Sequence, residues 1–325
     1  LTTANLPATL GADAPYENMG TIQTKGWELA IDYRHTFKNG LHFGVTASVA
    51  DDKTEVTKWT YNTKIPSYGA TGWWDKSAYK EGMVLGDIWG LQFDRFLTED
   101  DFNADGSLKA GLPDQTKVFP AGYQFAPGDV LYKDLDNNGE IVKQTNTNDK
   151  GDLSVIGNAL PRLQFGLNLD AAWKGFDISM FFQGVAKRKL WAAGNQVLPG
   201  FTTGEPFYKG AEDYWTPENT DAFYPRPMDY KQSASGNYSV NDRYLLNMAY
   251  LRLKTFTVGY SLPKVWLSKF KVQGLRVYFT GENLFTIDGV KPAIDPEIGI
   301  RTASGKSDQR NFGRSYPYQK AISFG

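Results

Sequence analysis

Apolar and polar residues take turns along several stretches of the chain. From Leu163, the positions Leu163, Phe165, Leu167, Leu169, Ala171 and Trp173 interleave with Gln164, Gly166, Asn168, Asp170 and Ala172. After Lys174-Gly175 the pattern resumes with Phe176, Ile178, Met180 and Phe182. Residues 27–37 set Trp27, Leu29, Ile31, Tyr33, His35 and Phe37 against Glu28, Ala30, Asp32, Arg34 and Thr36. Lys38-Asn39-Gly40 suits a tight hairpin, and the run beyond it sets Leu41, Phe43, Val45, Ala47 and Val49 against His42, Gly44, Thr46 and Ser48. Leu275, Val277 and Phe279 oppose Arg276, Tyr278 and Thr280. Residues 251–262 alternate too but slip phase near Lys254 and Thr255, which reads as a bulge or as a strand leaving the apolar zone. A weaker final run holds Tyr318, Ile322 and Phe324 in phase.

A period of two gives each strand one apolar and one polar face. Seven strands are expected, at roughly 22–37, 41–58, 162–173, 175–189, 250–262, 274–286 and 314–325. Half of a soluble β-sandwich fits such a pattern. A transmembrane antiparallel β-barrel fits it better. The runs are longer than the five or six residues usual in soluble sheets. Their polar sides mix Asp, Arg, Glu, Asn and Gly, as a lumen wall does, and Trp27, Phe37, Trp173, Phe176, Phe285 and Tyr318 stand at strand ends, where aromatic girdles belong. By alternation the lumen side holds Gln164, Asn168, Asp170, Asp177, Ser179, Gln183, Arg276, Tyr278 and Glu282.

The connections sharpen this. Those at 38–40 and 174–175 are short, while 59–160, 191–249 and 287–315 are long. Short periplasmic turns and long outer loops are the habit of outer-membrane barrels, and compact soluble domains rarely carry such loops. Seven strands that start outside cannot close a barrel of even strand number. The expectation is therefore that 1–325 is the C-terminal part of a larger barrel domain, with its first strands and any plug outside this chain. Residues 59–160 are then a large extracellular insertion.

Composition removes other classes. With 325 residues, 41% hydrophobic and a formal charge of −1, the chain has no basic surface for nucleic acid. No stretch approaches the ~20 apolar residues of a membrane helix. The start, LTTANLPATL, lacks a signal peptide's basic and apolar regions. There is no cysteine, which excludes disulfide and thiolate-metal frameworks, and only His35 and His42 are present. Adjacent acids such as Asp51-Asp52 and Asp100-Asp101 read as solvated loop residues, and no nucleophile–base constellation appears, so no catalytic residue is assigned and the chain reads as a non-enzyme.

Two loops carry candidate calcium chemistry. In DLDNNGEI, Asp134, Asp136 and Asn138 space oxygen ligands, Gly139 allows the turn and Glu140 offers its carbonyl, as in the first half of an EF-hand loop. Its twelfth position is Thr145 rather than a bidentate Glu, so Asp149 or Asp152 would have to fold back. DFNADGSL repeats the spacing with Asp101, Asn103 and Asp105. The alternative for both is an Asx-rich turn. Calcium is the one candidate cofactor. Aromatic residues crowd the long loops, and rings suit sugar faces. Trp73-Trp74 and Trp89 are the candidate ligand contacts there, with Arg276 and Tyr278 on the lumen wall, whereas Trp215 in DYWTPENT reads as structural.

Five blocks together resemble the SusC/RagA-type TonB-linked outer-membrane transporters of Bacteroidetes: NMGTIQTKGWELAIDYR, VIGNALPRLQFGLNLDAAWKGFDISMFFQGV, DYWTPENTDAFYPR, YLRLKTFTVGYSLPKVWLSKFKVQGLRVYFTGENLFT and YPYQKAISFG. The resemblance runs from about residue 18 to the end. It implies a segment of a 22-stranded barrel in the outer membrane of a Gram-negative bacterium. It also implies a SusD-like surface lipoprotein as lid, energy from the TonB complex, and import of oligosaccharides or, in some members, peptides. The chain departs from the family in lacking the signal peptide, N-terminal domain, TonB box, plug and first strands, and it stops at Phe324-Gly325, short of the usual terminal aromatic. Two rival readings are a structural or adhesive outer-membrane barrel segment and a glycan-binding β-protein without transport.

Overall fold

The structure is a computed structural model. It describes residues 2–3, 16–18, 20–59, 80–146, 149–192, 194, 196–200, 207–227, 236–291, 294–297 and 318–325. One seven-stranded antiparallel sheet dominates it. Its strands are β1 (Gly20–Thr36), β2 (His42–Trp59), β3 (Arg162–Trp173), β4 (Phe176–Lys187), β5 (Tyr250–Ser261), β6 (Arg276–Asp288) and β7 (Ala321–Phe324). Each pairs with its neighbour in sequence, so the sheet is a simple meander with β1 and β7 at its open edges. All three short connections lie at one end and all three long ones at the other.

The register carries the alternation across the sheet. Ile31 opposes Ala47, Ala47 opposes Leu167, and Leu167 opposes Phe182. Ile178 opposes Val258, which opposes Phe279, which opposes Phe324. The expected phase slip is real: the adjacent residues Phe182 and Phe181 of β4 oppose Leu253 and Thr255 of β5. It leaves Lys254 as the extra residue of a bulge, after which the even-numbered side chains face the apolar side. Trp27 and Phe37 stand about ten residues apart, ~33 Å along a strand, which a ~40° tilt reduces to the ~25 Å apolar band of a membrane barrel.

None of the residues in the two rows from Ile31 to Phe182 and from Ile178 to Phe324 is buried, and Ile31 is 55% exposed. The soluble-type core lies elsewhere, in the long connections. One cluster packs Ile88, Leu190, Trp191, Leu198, Tyr224, Tyr244 and Met248, and reaches Val290. A second packs Leu91, Phe96, Phe119, Val130, Tyr132, Ile141 and Trp215. Short ladders brace these bodies, Asp87–Gly90 with Ser154–Asn158 and Phe93–Phe96 with Val130–Tyr132. The 59–160 connection is thus a folded body over its described part. Trp215, expected to be structural, is 7% exposed inside the second cluster.

Turn chemistry positions the strands. Lys174 and Gly175 both have positive φ, 49° and 88°, the type I′ geometry that matches sheet twist. A Cβ on Gly175 would also lie 2.7 Å from the Ser261 carbonyl oxygen, so glycine is needed twice over.

Candidate functional site

The polar side of the sheet is the first part of the site. The residues expected there share it: Asp170 opposes Ser179, Ser179 opposes Thr257, and Thr257 opposes Thr280. Thr46 donates to Asp32 at 2.7 Å, and the Thr257 and Thr280 hydroxyls meet at 3.1 Å. Arg276 crosses β5 to reach Asp177 on β4, with its NH2 nitrogen 2.6 Å from Oδ2 and Nε 3.1 Å from Oδ1. It crosses at Gly259, where a Cβ would lie 2.4 Å from the guanidinium. Tyr278 stacks its ring 5.2 Å from the same guanidinium. Arg276 and Tyr278 are therefore neighbours on the polar wall, as expected, but the arginine's charge is already matched. Glu28, Ser48, Gln164 and Gln183 line a shallow hollow of about 400 Å³ on the wall.

Near the long-loop end, Arg252 is buried between Asp295 at 2.7 Å and Glu297 at 3.3 Å, while its Nε donates to Thr286 at 2.7 Å. Lys254, the bulge residue, reaches Glu297 at 2.6 Å. Both cations lie over the Tyr318 ring, at 5.3 and 4.7 Å. Alternation alone gave no sign of this clamp, because its acids lie outside the strands.

The second part is a cavity of about 610 Å³ among the long connections. Its walls include Pro199, Phe207, Tyr208, Tyr214, Tyr224 and Pro225. Lys209, Glu212 and Arg226 supply the charge. Phe207, Tyr208 and Tyr214 present exposed rings. Burial pushes the Tyr224 phenol up to about 12, and its hydroxyl donates to the Val197 carbonyl at 2.9 Å. Arg226 is anchored from behind by the buried Asp129 at 2.8 Å, which also accepts from Tyr123, Ala126 and Asn237. Such a pocket suits a ligand with flat apolar faces and a few polar groups. Of its residues, Tyr214 and Tyr224 stood out in the sequence only as aromatic loop residues. Nothing in the sequence pointed to a cavity, since four separate segments build it.

The sequence-derived ligand tryptophans fare differently. Trp73 and Trp74 lie outside the described residues. Trp89 pairs with Val155 in a short ladder and packs against both core clusters, so it joins the two bodies rather than lining the cavity.

The two acidic loops separate as well. Asp134, Asp136 and Asp152 bring carboxylate oxygens within 4.8 Å of one another, the one such trio among the described residues. Asp152 is the residue that folds back. Its oxygens accept from Leu135 N and Val142 N, both at 2.8 Å, which fixes it beneath the loop. Asp134 accepts from Asn137 N and Gly139 N, and Gly139 has φ of 85°. Partial desolvation, joined by the Asp152 and Asp134 charges, pushes the Asp136 carboxyl up. Each carboxylate oxygen retains a second lone pair, so a hard divalent cation fits the donor set. Asn138 offers its side-chain oxygen to Glu140 N at 2.8 Å, and the Glu140 carboxylate pairs with Lys117. In the second loop Asp101 accepts from both Arg95 terminal nitrogens, at 2.6 and 2.7 Å, and from Thr98 N. Those hydrogen bonds, Arg95 first, hold its carboxyl down at about 2. Asn103 and Asp105 tie the turn through Ser107. This loop already carries a counter-cation in Arg95.

No family model matches the chain. It is 26% identical over 332 residues to "TonB-dependent receptor P3" of Formosa agariphila, covering 98% of the chain and 30% of that protein. It is 21% identical over 290 residues to "TonB-dependent receptor SusC" of Bacteroides thetaiotaomicron, covering 87% of the chain and 25% of that protein. Among solved structures, the RagAB peptide importer in its 'open-open' state superposes with a TM-score of 0.63 at 16% identity, over 99% of this chain and 30% of that one. The chain spans about 30% of the length of the receptor P3 it matches. Relatives and meander agree along nearly its whole length: the chain is similar to a portion of the SusC/RagA-type TonB-dependent receptors, and its sheet shares the β-barrel fold of RagAB.

Proposed function

We propose that this chain builds part of the wall and outer mouth of a TonB-dependent importer in the outer membrane. The short turns face the periplasm. The folded long connections, including 59–160, stand outside the cell. The observation that carries this reading is an apolar sheet face left largely uncovered among the described residues, joined to loops that own the soluble-type cores. Lipid is the solvent such a face fits. The named TonB-dependent receptors among its relatives support import as the task. An oligosaccharide or peptide is the cargo, captured beneath a SusD-like lipoprotein and held by loop aromatics around the cavity. TonB, acting through parts of the protein outside this chain, supplies the energy. Asp134, Asp136 and Asp152 hold calcium and keep the outer loop in shape.

The experiment is to purify the native polypeptide in detergent from outer membranes. The expected result is a protein about three times the mass of this 36.3 kDa chain, given the share of a relative that it spans. It should co-purify with a surface lipoprotein, and loss of TonB should abolish uptake of labelled peptides or oligosaccharides. A folded, detergent-stable 36.3 kDa species, or uptake untouched by loss of TonB, would overturn the proposal.

A further inference from the structure

We propose that the short-turn end of the sheet, and the segment from Lys264 to Phe270 above all, is a docking surface for anionic phospholipid headgroups. It rests on the membrane-wall reading given above. The connection between β5 and β6 is unlike the other two short ones, because it holds a helical turn, α1 (Lys264–Leu267), followed by the 3₁₀ turn Ser268–Phe270. Pro263 starts it by accepting from Trp266 N at 3.0 Å, and Lys271, at φ 56°, ends it.

The turn buries Leu267 and leaves its other large side chains outside. Val265 is 75% exposed, Trp266 59% and Phe270 77%. Water is an unfavourable neighbour for such a group, and among the described residues nothing covers it. The patch is continuous with the sheet's apolar face. Leu262 N bonds the Leu275 carbonyl at the root of the turn, Tyr260 opposes Val277, and the Tyr260 ring lies 4.4 Å from Phe176 of the adjacent hairpin. Whatever solvates the sheet face therefore also meets the turn.

Charge names the solvent's polar layer. Residues 262–275 contain Lys264, Lys269 and Lys271 and no acidic residue. The other short turns also have lysines without acids, Lys38 beside Phe37 and Lys174 between Trp173 and Phe176. The Lys174 ammonium lies 4.4 Å from the centre of the Trp173 ring. Basic residues interleaved with large apolar ones, at the rim of an apolar band, suit the boundary between anionic headgroups and acyl chains. A phospholipid surface satisfies both halves of this pattern at once.

The test places a nitroxide on the full-length protein at Phe270→Cys, and separately at Val265→Cys, in lipid nanodiscs. Both positions are exposed, so neither variant should disturb folding. Collision rates with oxygen and with a water-soluble nickel chelate report depth. Oxygen should dominate at both sites. Replacing a third of the phosphatidylcholine by phosphatidylglycerol should raise the oxygen-to-nickel ratio about twofold, and K264Q, K269Q and K271Q together should remove that rise, as expected for lysines held at an anionic surface. Nickel access at both sites puts the turn in water and overturns the proposal. Exclusion of both probes means a protein or a second copy covers it, and also overturns it. So does a ratio indifferent to phosphatidylglycerol. A label at Leu169→Cys, on the sheet face, separates the two readings. If it avoids oxygen, the membrane-wall reading itself fails. If it meets oxygen while the turn does not, only the anchor fails.

Discussion

An arginine placed at different heights on the sheet's apolar face should cost different amounts. Leu167 lies six residues from Trp173 along β3, ~20 Å of strand and ~15 Å of membrane depth at barrel tilt, which is near the midplane of the apolar band. Ala171 lies only ~5 Å from that girdle by the same geometry. Leu167→Arg should destabilise the natural protein by about 2–4 kcal/mol, a ~30- to ~900-fold change in the unfolding equilibrium, and Ala171→Arg by about 0–1 kcal/mol. Asn168→Arg, one residue from Leu167 but on the polar wall, should cost less than Leu167→Arg, because its charge stays in water. The assay is denaturant unfolding of the full-length protein in phosphatidylcholine vesicles, followed by tryptophan fluorescence. The cost depends on lipid depth and not on burial alone. Equal costs at Leu167 and Ala171 would refute it, since a protein-covered sheet has no midplane. A cost at Asn168 equal to that at Leu167 would reverse the assignment of the faces.

Two further outcomes are expected. The Arg95–Asp101 pair holds the Asp101 carboxyl at about 2, below the ordinary value near 4, so its stabilisation is complete above pH ~4 and is lost as pH falls toward 2. With Arg95 part-exposed and screened, that amounts to about 1–2 kcal/mol. Hydrogen exchange of residues 93–109, corrected for intrinsic pH dependence, should rise over that window in the natural protein and lose the step in Asp101→Asn. A step that survives the substitution would assign it to another group. For the acidic trio, terbium luminescence should report a site in the full-length protein that calcium displaces, and Asp134→Asn should weaken it at least ~10-fold, as loss of one of few charged ligands to a hard cation does. Asp101→Asn should leave that signal alone, and equal loss in both variants would count against the trio.

The sheet was readable from residue order because a strand's side chains alternate with a rigid period of two. Leu163 to Trp173 and Phe176 to Phe182 announced their hairpin, Lys174-Gly175 its turn, and the slipped phase at Lys254 its bulge. Strand neighbours followed from short turns, and the polar wall from the same alternation. The loops obey no period, and their meaning arose only when distant segments met. Asp152 joins Asp134 and Asp136 because the chain folds back under Leu135 and Val142 amides. Asp101 shares a calcium-like spacing yet meets Arg95, so equal spacings ended in different chemistry. Trp89 looked like a ligand ring and is wedged between two cores. Arg276 reaches Asp177 only because Gly259 leaves room between them. Local periodicity is a property of the backbone and is written along the chain. Which charge meets which across about forty or a hundred residues depends on packing, and that is decided only when the whole fold assembles.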